Sequence, residues 1–432
     1  MIRGCLLASL LVASSVLADE AATDTNTPAP TATTATSTVS QAVRQRDMFN
    51  DQSGPAARLD NAPIDPTLAG FILIPGTTSM FKPYGTAKVD VIHDFNPAGE
   101  SDAFITSTIP VGPIENAQNT AISARQSKVG LEFRRPTPLG DLRVVYENDF
   151  YDFTTGKTTF NLRQMYGQVD NILAGFTYST IMDPDAMPDT LDFEGPNSLL
   201  FIRQAGVRYT IPLDSSKQQT LAIAIENGTS DIVYAVPAPA PVTITPTSPW
   251  PDIHVRYRYE IDTAHIQLGA VLRDVGGYAA DIAEKHVIGF GGSLSGTQQI
   301  GEDFVMGQAT YGKGISRYIQ DMTGLGGDVG VNSNGELVAN DAFGAYLSYQ
   351  HYWQPALRSS IMYGYAWLDS KDKTLTSTFH DSTYTAANVI WNPKNSSLNV
   401  GLEVLYGEQH LVDGQKGSAT RIQISFQYDL VK

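Results

Sequence analysis

The sequence predicts an all-β protein: a transmembrane up-and-down antiparallel β-barrel of about 16 strands, preceded by a flexible N-terminal periplasmic segment. Three observations predict this fold. Apolar and polar residues alternate with period two through most of the chain after Tyr84. The links between these runs alternate between short and long. The runs are roughly 9–13 residues long, which is enough to cross a bilayer at a tilt.

The first 18 residues have the features of a cleaved secretory signal. Arg3 supplies a positive charge, an apolar stretch runs to Leu17, and Asp19 follows the small residues at the predicted cleavage site. The apolar stretch is too short for a permanent membrane helix. Because Cys5 is the single cysteine, the exported chain is expected to fold without disulfides.

Residues 19–78 form the second predicted region, a low-complexity segment rich in Ala, Thr, Pro and Ser. Such a composition buries too little apolar surface to offset its chain entropy, so we expect a flexible periplasmic tail. The third region, residues 79–432, is the predicted transmembrane barrel.

The alternation within residues 79–432 assigns a lipid face and an inner face to each run. One clear example sets Ile253, Val255 and Tyr257 against His254, Arg256 and Arg258. In a strand these two sets point to opposite sides of the sheet. A soluble β-sandwich shows the same alternation, so period two alone does not separate the two folds.

The links between the runs favour the barrel. Short links are expected near 136–140, 170–171, 212–217, 262–263, 295–301, 354–356 and 392–397. Long links are expected near 96–120, 151–159, 180–198, 228–251, 274–284, 312–341, 369–384 and 408–418. Short turns at one end and long loops at the other are typical of outer-membrane barrels.

Composition excludes some partners. The formal net charge of −16 argues against nucleic acid. It does not argue against small anions, because net charge does not determine which residues line a lumen. No stretch after the signal approaches the roughly 20 apolar residues of a membrane helix.

Several stretches of the barrel region resemble the DcaP-like family of outer-membrane porins. They include SARQSKVGLEFRRPTPLGDL from Ser123, the unusual MDPDAMPDTLDFEGPN from Met182, and ANVIWNPKNSSLNVGLEVLYGEQ from Ala387. The resemblance implies a 16-stranded barrel in the outer membrane, a homotrimer and a third outer loop folded into the pore. It also implies a preference for negatively charged solutes such as dicarboxylates.

Basic residues on the inner parity are the candidates for lining the pore, because a channel selects by its wall charges. A charge facing lipid at mid-membrane would cost roughly 2–4 kcal/mol. Arg163 joins the set if Leu162 and Tyr166 face lipid, and Arg125 joins it if a bulge turns it inward. The candidates are Lys128, Arg143, Arg163, Arg208, Arg256, Arg258 and Arg125.

The third long loop, residues 180–198, is the predicted constriction loop. Its acidic residues include Asp183, Asp185, Asp192 and Glu194. Folded inward, these carboxylates would face the basic wall and create a transverse field across a narrow pore. The alternative is a solvated outer loop that binds divalent cations.

The function predicted from these features is passive diffusion of small, preferably anionic solutes through an outer-membrane porin. The expected partners are such solutes, outer-membrane lipid and two further copies of the chain. An outer-membrane enzyme or a surface adhesin stays open as the alternative class. No nucleophile elbow, phosphate loop or metal-ligand spacing appears in the sequence, so no cofactor, metal or catalytic residue is assigned.

Overall fold

A computed structural model describes residues 68–112, 117–152, 157–232, 244–279, 282–332, 336–371, 378–393 and 396–430. The predicted signal, residues 1–18, and most of the predicted periplasmic segment lie outside the described residues. In the described ranges, no helix is both long enough and apolar enough to cross a membrane.

Sixteen antiparallel strands close into one barrel, which confirms the predicted fold class. In chain order they are β1 Met80–Asp94, β2 Asn119–Ser123 with Lys128–Thr137, β3 Gly140–Tyr151, β4 Thr158–Val169, β5 Ile172–Tyr178, β6 Arg203–Pro212, β7 Gln219–Glu226, β8 Asp252–Ile261, β9 Ala264–Ala279, β10 Ile282–Ile300, β11 Asp303–Lys313, β12 Asp341–Gln354, β13 Leu357–Asp369, β14 Phe379–Trp391, β15 Leu398–Leu411 and β16 Lys416–Asp429.

The barrel closes because β1 pairs with the last strand as well as with its own neighbour. Val89 lies opposite Phe426 of β16, and Val91 lies opposite both Ile424 of β16 and Ile122 of β2. Closure leaves no open sheet edge, which is what a strand-built membrane protein requires. An even number of strands places both ends of the barrel on the same side.

The inner and outer faces follow the period-two pattern. On β16, Ile424 and Phe426 are 40% and 45% exposed toward the outside, whereas Gln423 and Ser425 are buried inside the barrel. Exposed apolar side chains and buried polar ones are the reverse of a soluble fold. They are the arrangement expected when lipid covers the outside and polar groups fill the interior.

The links alternate in length less strictly than predicted. Eight links, named L1 to L8, lie at one end of the barrel: L1 95–118, L2 152–157, L3 179–202, L4 227–251, L5 280–281, L6 314–340, L7 370–378 and L8 412–415. The other end carries the short turns, such as 138–139 and 262–263.

The expected long link near 274–284 is therefore wrong. β9 and β10 continue through it as a long hairpin and leave only L5 between them. The strand Thr245–Thr247 pairs with the extended part of β9, and Val275 packs in a buried cluster with Ile244 and Leu337. This packing outside the membrane span stabilises the extra strand length.

Candidate functional site

A cavity of about 830 Å³ passes through the barrel interior. At the loop end it is lined by parts of L1 and L6, including Ser107 and Leu325. Toward the short-turn end its wall includes Lys82 and Tyr352. L3 lines it between these ends through residues such as Phe193. The cavity has the placement of a solute path, and L3 narrows it.

The start of L3 is held by buried charge. The Asp183 carboxylate accepts hydrogen bonds from Arg258 Nη1 at 3.1 Å and from Ser295 Oγ at 2.6 Å, and it lies 2.8 Å from His265 Nε2. Asp185 accepts a second bond from Arg258, at 2.8 Å. With Glu260 on the same strand, Arg258 contacts three carboxylates and is fully engaged.

The middle of L3 is anchored on the opposite wall. Asp189 accepts hydrogen bonds from Arg358 at 2.5 Å and from Gln350 at 2.8 Å. Two residues later, the Leu191 carbonyl accepts a bond from Lys88 Nζ at 2.6 Å, and Glu403 on β15 accepts one from the Asp192 amide at 2.8 Å. L3 therefore follows the inner wall from β8 round to β1.

These ion pairs weaken the transverse electric field that the sequence predicts between L3 and the basic wall. Asp183, Asp185 and Asp189 lie against basic wall residues, as the inward-folded loop predicts, but in direct ion pairs. A paired carboxylate presents little net charge to a solute in the lumen. The acids of L3 mainly fix the loop, and the opposite wall carries the charge that faces the cavity.

Glu194 differs from the other L3 acids because its neighbours are acidic. It lines the cavity beside Asp321 of L6, and among the described residues neither carboxylate has a basic group within ion-pair distance. Burial, followed by the charges of Asp321 and Asp192, raises the pKa of Glu194 well above its usual value. Across the described ranges, no three His, Cys, Asp or Glu side chains are grouped so as to hold a metal ion.

The basic wall begins on β2 and β3. Lys128 lies 3.9 Å from Glu147, and Arg143 donates to Glu132 at 2.9 Å. Arg134 also binds Glu132, at 2.7 Å. Two arginines therefore share the single carboxylate of Glu132, and the hydrogen-bond donors of Arg143 are only partly used.

Arg163 lines the cavity, but not because Leu162 and Tyr166 both face lipid. It binds Glu147 at 2.9 Å and Asp149 at 2.6 Å. Leu162 is exposed on the lipid side as expected, yet Tyr166 is buried in the barrel, 5.9 Å from the Arg143 guanidinium. The prediction that Tyr166 faces lipid is wrong. The pairing of β3 with β4 skips Arg163, so the residues after it face the opposite side from the one that strict alternation predicts.

Three arginines on β6 and β8 have no carboxylate within ion-pair distance among the described residues: Arg203, Arg208 and Arg256. Arg203 lines the cavity at the start of β6, with its guanidinium 5.4 Å from the ring centre of Phe201. Arg208 and Arg256 face the interior on either side of β7. Nη1 of Arg203 and Nε of Arg256 are buried without a hydrogen-bond acceptor.

Small residues on the neighbouring strands make room for these long side chains. Ala222 and Ala224 are the inward residues of β7 opposite Arg256 and Arg208. Side chains larger than alanine would fill the space that the arginines occupy.

Arg125 does not take part in this wall. It lies in the gap between the two halves of β2, where it donates to Asp102 of L1 through Nε at 2.8 Å and through Nη2. Its Nη1 donates to backbone carbonyls of Asp152 and Lys157 in L2. The break in β2 turns Arg125 away from lipid, as the sequence allows, but toward the outer loops and not the open cavity.

Two parts of the site were missed by sequence reasoning. Arg358 on β13 anchors Asp189, and its position on the inner parity of its strand was the available signal. L6 also enters the barrel, where Ile319 and Met322 are fully buried. Apolar residues inside a long polar loop were the signal for that.

Comparison with solved structures finds the same architecture. The outer membrane channel DcaP of Acinetobacter baumannii matches with a TM-score of 0.69 at 17% identity, over 82% of this chain and 97% of that one. An anion-selective porin from Comamonas acidovorans matches with a TM-score of 0.54 at 10% identity, over 82% and 100%. OmpF of Salmonella typhi, in a complex with daunomycin, matches at 0.51 and 10% identity, over 83% and 99%.

At these identities the structural matches establish the fold alone. A search of curated proteins finds no match. The family model for the DcaP outer membrane protein matches residues 72–430, which is nearly the whole described chain. That match, the closed barrel and the pore through it make this chain an outer-membrane porin, and it belongs to the DcaP outer membrane protein family.

Proposed function

We propose that this porin passes small solutes by passive diffusion and prefers anions, with dicarboxylates as the favoured class. One observation carries the proposal. Arg203, Arg208 and Arg256 face the barrel interior without a carboxylate partner in the described residues, while the L3 acids from Asp183 to Asp189 are held in ion pairs. Free positive charge therefore lies on β6, which L3 does not cover, and on β8 beside the start of L3.

The chemistry of guanidinium groups suits carboxylate solutes. A planar guanidinium can hold both oxygens of one carboxylate, and it stays charged at any physiological pH. Lys128, Arg143 and Arg163 continue the basic wall along the cavity, each beside at least one carboxylate. A diacid can engage two such positions at once. Each contact must stay weak enough for release, because conduction fails when binding is tight.

The reversal potential in a salt gradient across a planar bilayer tests this proposal. We expect the wild-type channel to favour anions, and the combined change Arg203→Ala, Arg208→Ala and Arg256→Ala to shift the potential strongly toward cation selectivity. Lys416→Ala is the matched control, since this exposed lysine lies at the loop end, 3.9 Å from Glu408. A cation-selective wild type, or a triple variant indistinguishable from it, contradicts the proposal.

The family resemblance also leads us to propose a homotrimer. A lipid-covered barrel with an exposed apolar outer face can associate through part of that face. The purified protein should migrate as a trimer on a gel when unheated and as a monomer after boiling. Migration as a monomer under both conditions, supported by chemical cross-linking, would contradict the trimer.

A further inference from the structure

The inner part of L6, residues 316–325, lies inside the barrel against L3. The two segments run antiparallel: the Phe201 amide donates to the Tyr318 carbonyl at 3.0 Å, and the Gln320 amide donates to the Leu199 carbonyl at 2.9 Å. Gln320, Asp321 and Leu325 line the cavity. L6 therefore narrows the same path as L3.

Apolar packing holds this segment in place. Ile315, Tyr318, Ile319 and Met322 are at most 1% exposed, and they share one buried cluster with Leu200 of L3. Removing these apolar side chains from water stabilises the docked segment. The position of L6 does not depend on a charge at its tip.

Asp321 is the charged residue at this junction. Its Oδ2 accepts hydrogen bonds from Thr106 Oγ1 at 2.5 Å and from the Ser107 amide at 3.1 Å, both in L1. Its Oδ1 is buried without a donor in the described residues. Across the junction, Gln320 Nε2 donates to the Glu194 backbone carbonyl at 2.6 Å, which keeps the two acids side by side.

The surroundings of this pair disfavour two negative charges. The titratable groups that interact with the pair directly are Asp192 on L3, Tyr384 on β14 and Tyr151 on β3. Asp192 in turn faces Glu403 on β15, Lys88 on β1 and Arg421 on β16. The two cations are committed elsewhere, Lys88 to Asp90 and Arg421 to Asp94. Neighbouring buried carboxylates cannot both ionise at their ordinary pKa.

We propose that L6 is a second constriction element, and that the proton held by Glu194 and Asp321 sets the charge of the constriction. With the proton bound, the constriction presents less negative charge and anions pass more easily. Without it, the added carboxylate charge opposes the basic wall and anion preference falls. This inference rests on the proposed anion preference.

The pH range follows from the same contacts. Burial, partly offset by the hydrogen bonds from Thr106 and from the backbone of L1, raises the pKa of Asp321 to about 7, and the pKa of Glu194 also lies above its usual value. A carboxyl group with a raised pKa stays neutral below that value and ionises above it. The change should therefore centre near neutral pH, where exposed carboxylates are already charged.

The test measures the reversal potential of the whole channel from about pH 5.5 to about pH 8.5, a range that brackets the expected ionisation. We expect the wild-type anion-to-cation permeability ratio to fall as pH rises. Asp321→Asn combined with Glu194→Gln should keep the ratio at its acidic value across the range. Asn retains an oxygen acceptor for Thr106 and Ser107, so L6 should stay docked.

Glu100→Gln is the control. Glu100 also lines the cavity but belongs to L1 and does not join L3 to L6. This variant should shift the ratio while keeping the wild-type dependence on pH. A double variant that titrates like the wild type, or a Glu100 variant that loses the dependence, would overturn the inference.

A disulfide lock separates a change of charge from movement of L6. Leu200 and Ile319 form an isolated antiparallel bridge between the two loops, so Leu200→Cys with Ile319→Cys places two thiols across it. Under oxidation this variant should keep the wild-type pH dependence. Loss of the dependence on locking would overturn the inference in favour of loop displacement.

The reversal-potential measurements distinguish a failure of this inference from a failure of the proposed anion preference. A channel that is cation-selective at every pH contradicts the anion preference. If its selectivity still shifts with pH and the double variant removes the shift, the role of the acidic pair survives. An anion-selective channel whose selectivity does not change with pH contradicts only the role of Glu194 and Asp321, and leaves the proposed anion preference intact.

Discussion

Arg256 and Arg258 lie two residues apart on β8 and face the same interior, yet their surroundings are opposite. Arg258 is almost buried and binds Asp183, Asp185 and Glu260. Arg256 has no carboxylate within ion-pair distance in the described chain, and its Nε has no acceptor. The comparison separates cations that hold the constriction loop from cations that face the interior without a carboxylate partner in the described residues.

The same division extends over the barrel. Arg358 and Lys88 hold the middle of L3, so they belong with Arg258. Arg203 and Arg208 belong with Arg256. Substitutions in the first group should change the width of the pore and the stability of the protein, whereas substitutions in the second should change selectivity.

The largest effect is expected from Arg258→Ala. Removing one partner of a buried ion pair costs about 3–5 kcal/mol. Asp185 would lose the cation it binds, and Asp183 would keep only His265 and Ser295. The start of L3 should leave the wall, and single-channel conductance should rise while the thermal unfolding temperature falls. Arg134→Ala is the control, since Glu132 keeps Arg143 as a partner. Unchanged conductance would show that Arg258 does not hold the loop.

Arg256→Ala should give the converse result. No carboxylate loses a partner, so stability should change by no more than about 0.5 kcal/mol, because no buried ion pair or hydrogen bond of the described residues is broken. The anion-to-cation permeability ratio should fall, because a free positive charge leaves the wall. Reversal potential and thermal unfolding, measured on the same preparation, check both statements. A clear loss of stability without a change in selectivity would move Arg256 into the anchoring group.

Sequence reasoning could place both residues on one face but could not separate them. Period two puts Arg256 and Arg258 on the inner parity from local sequence alone. The two L3 partners of Arg258, Asp183 and Asp185, lie more than 70 residues earlier in the chain. Which arginine meets those carboxylates depends on the path of L3 through the barrel, and local alternation carries no information about that path.

Strand irregularities limited the sequence analysis in a second way. A register shift beside Arg163 and the gap in β2 at Arg125 each change which side a residue faces. Period two predicts sidedness only while pairing is regular. Regular strands such as β16 therefore follow the predicted pattern, and the exceptions lie near the charged groups.

Arg125→Ala tests whether Arg125 belongs to the anchoring group. Asp102 would lose its guanidinium partner, and L1 and L2 would lose the contacts that join them to the gap in β2. We expect a lower unfolding temperature and an unchanged reversal potential. Arg203→Ala, on a residue that does line the cavity, should show the reverse pattern. A selectivity change in the Arg125 variant as large as in the Arg203 variant would return Arg125 to the pore wall.

The smallest effect is expected from Glu260→Gln, which removes one of the three partners of Arg258. The Glu260 side chain is 42% exposed, whereas that of Asp183 is fully buried and that of Asp185 is 13% exposed, so water screens the bond of Glu260 to Arg258 more strongly. Exposed ion pairs contribute about 0–1 kcal/mol, and Gln still offers an oxygen to the guanidinium. Conductance and unfolding temperature should stay close to wild type. An effect comparable to that of Arg258→Ala would mean that the exposed carboxylate, and not the buried pair from L3, fixes Arg258 in place.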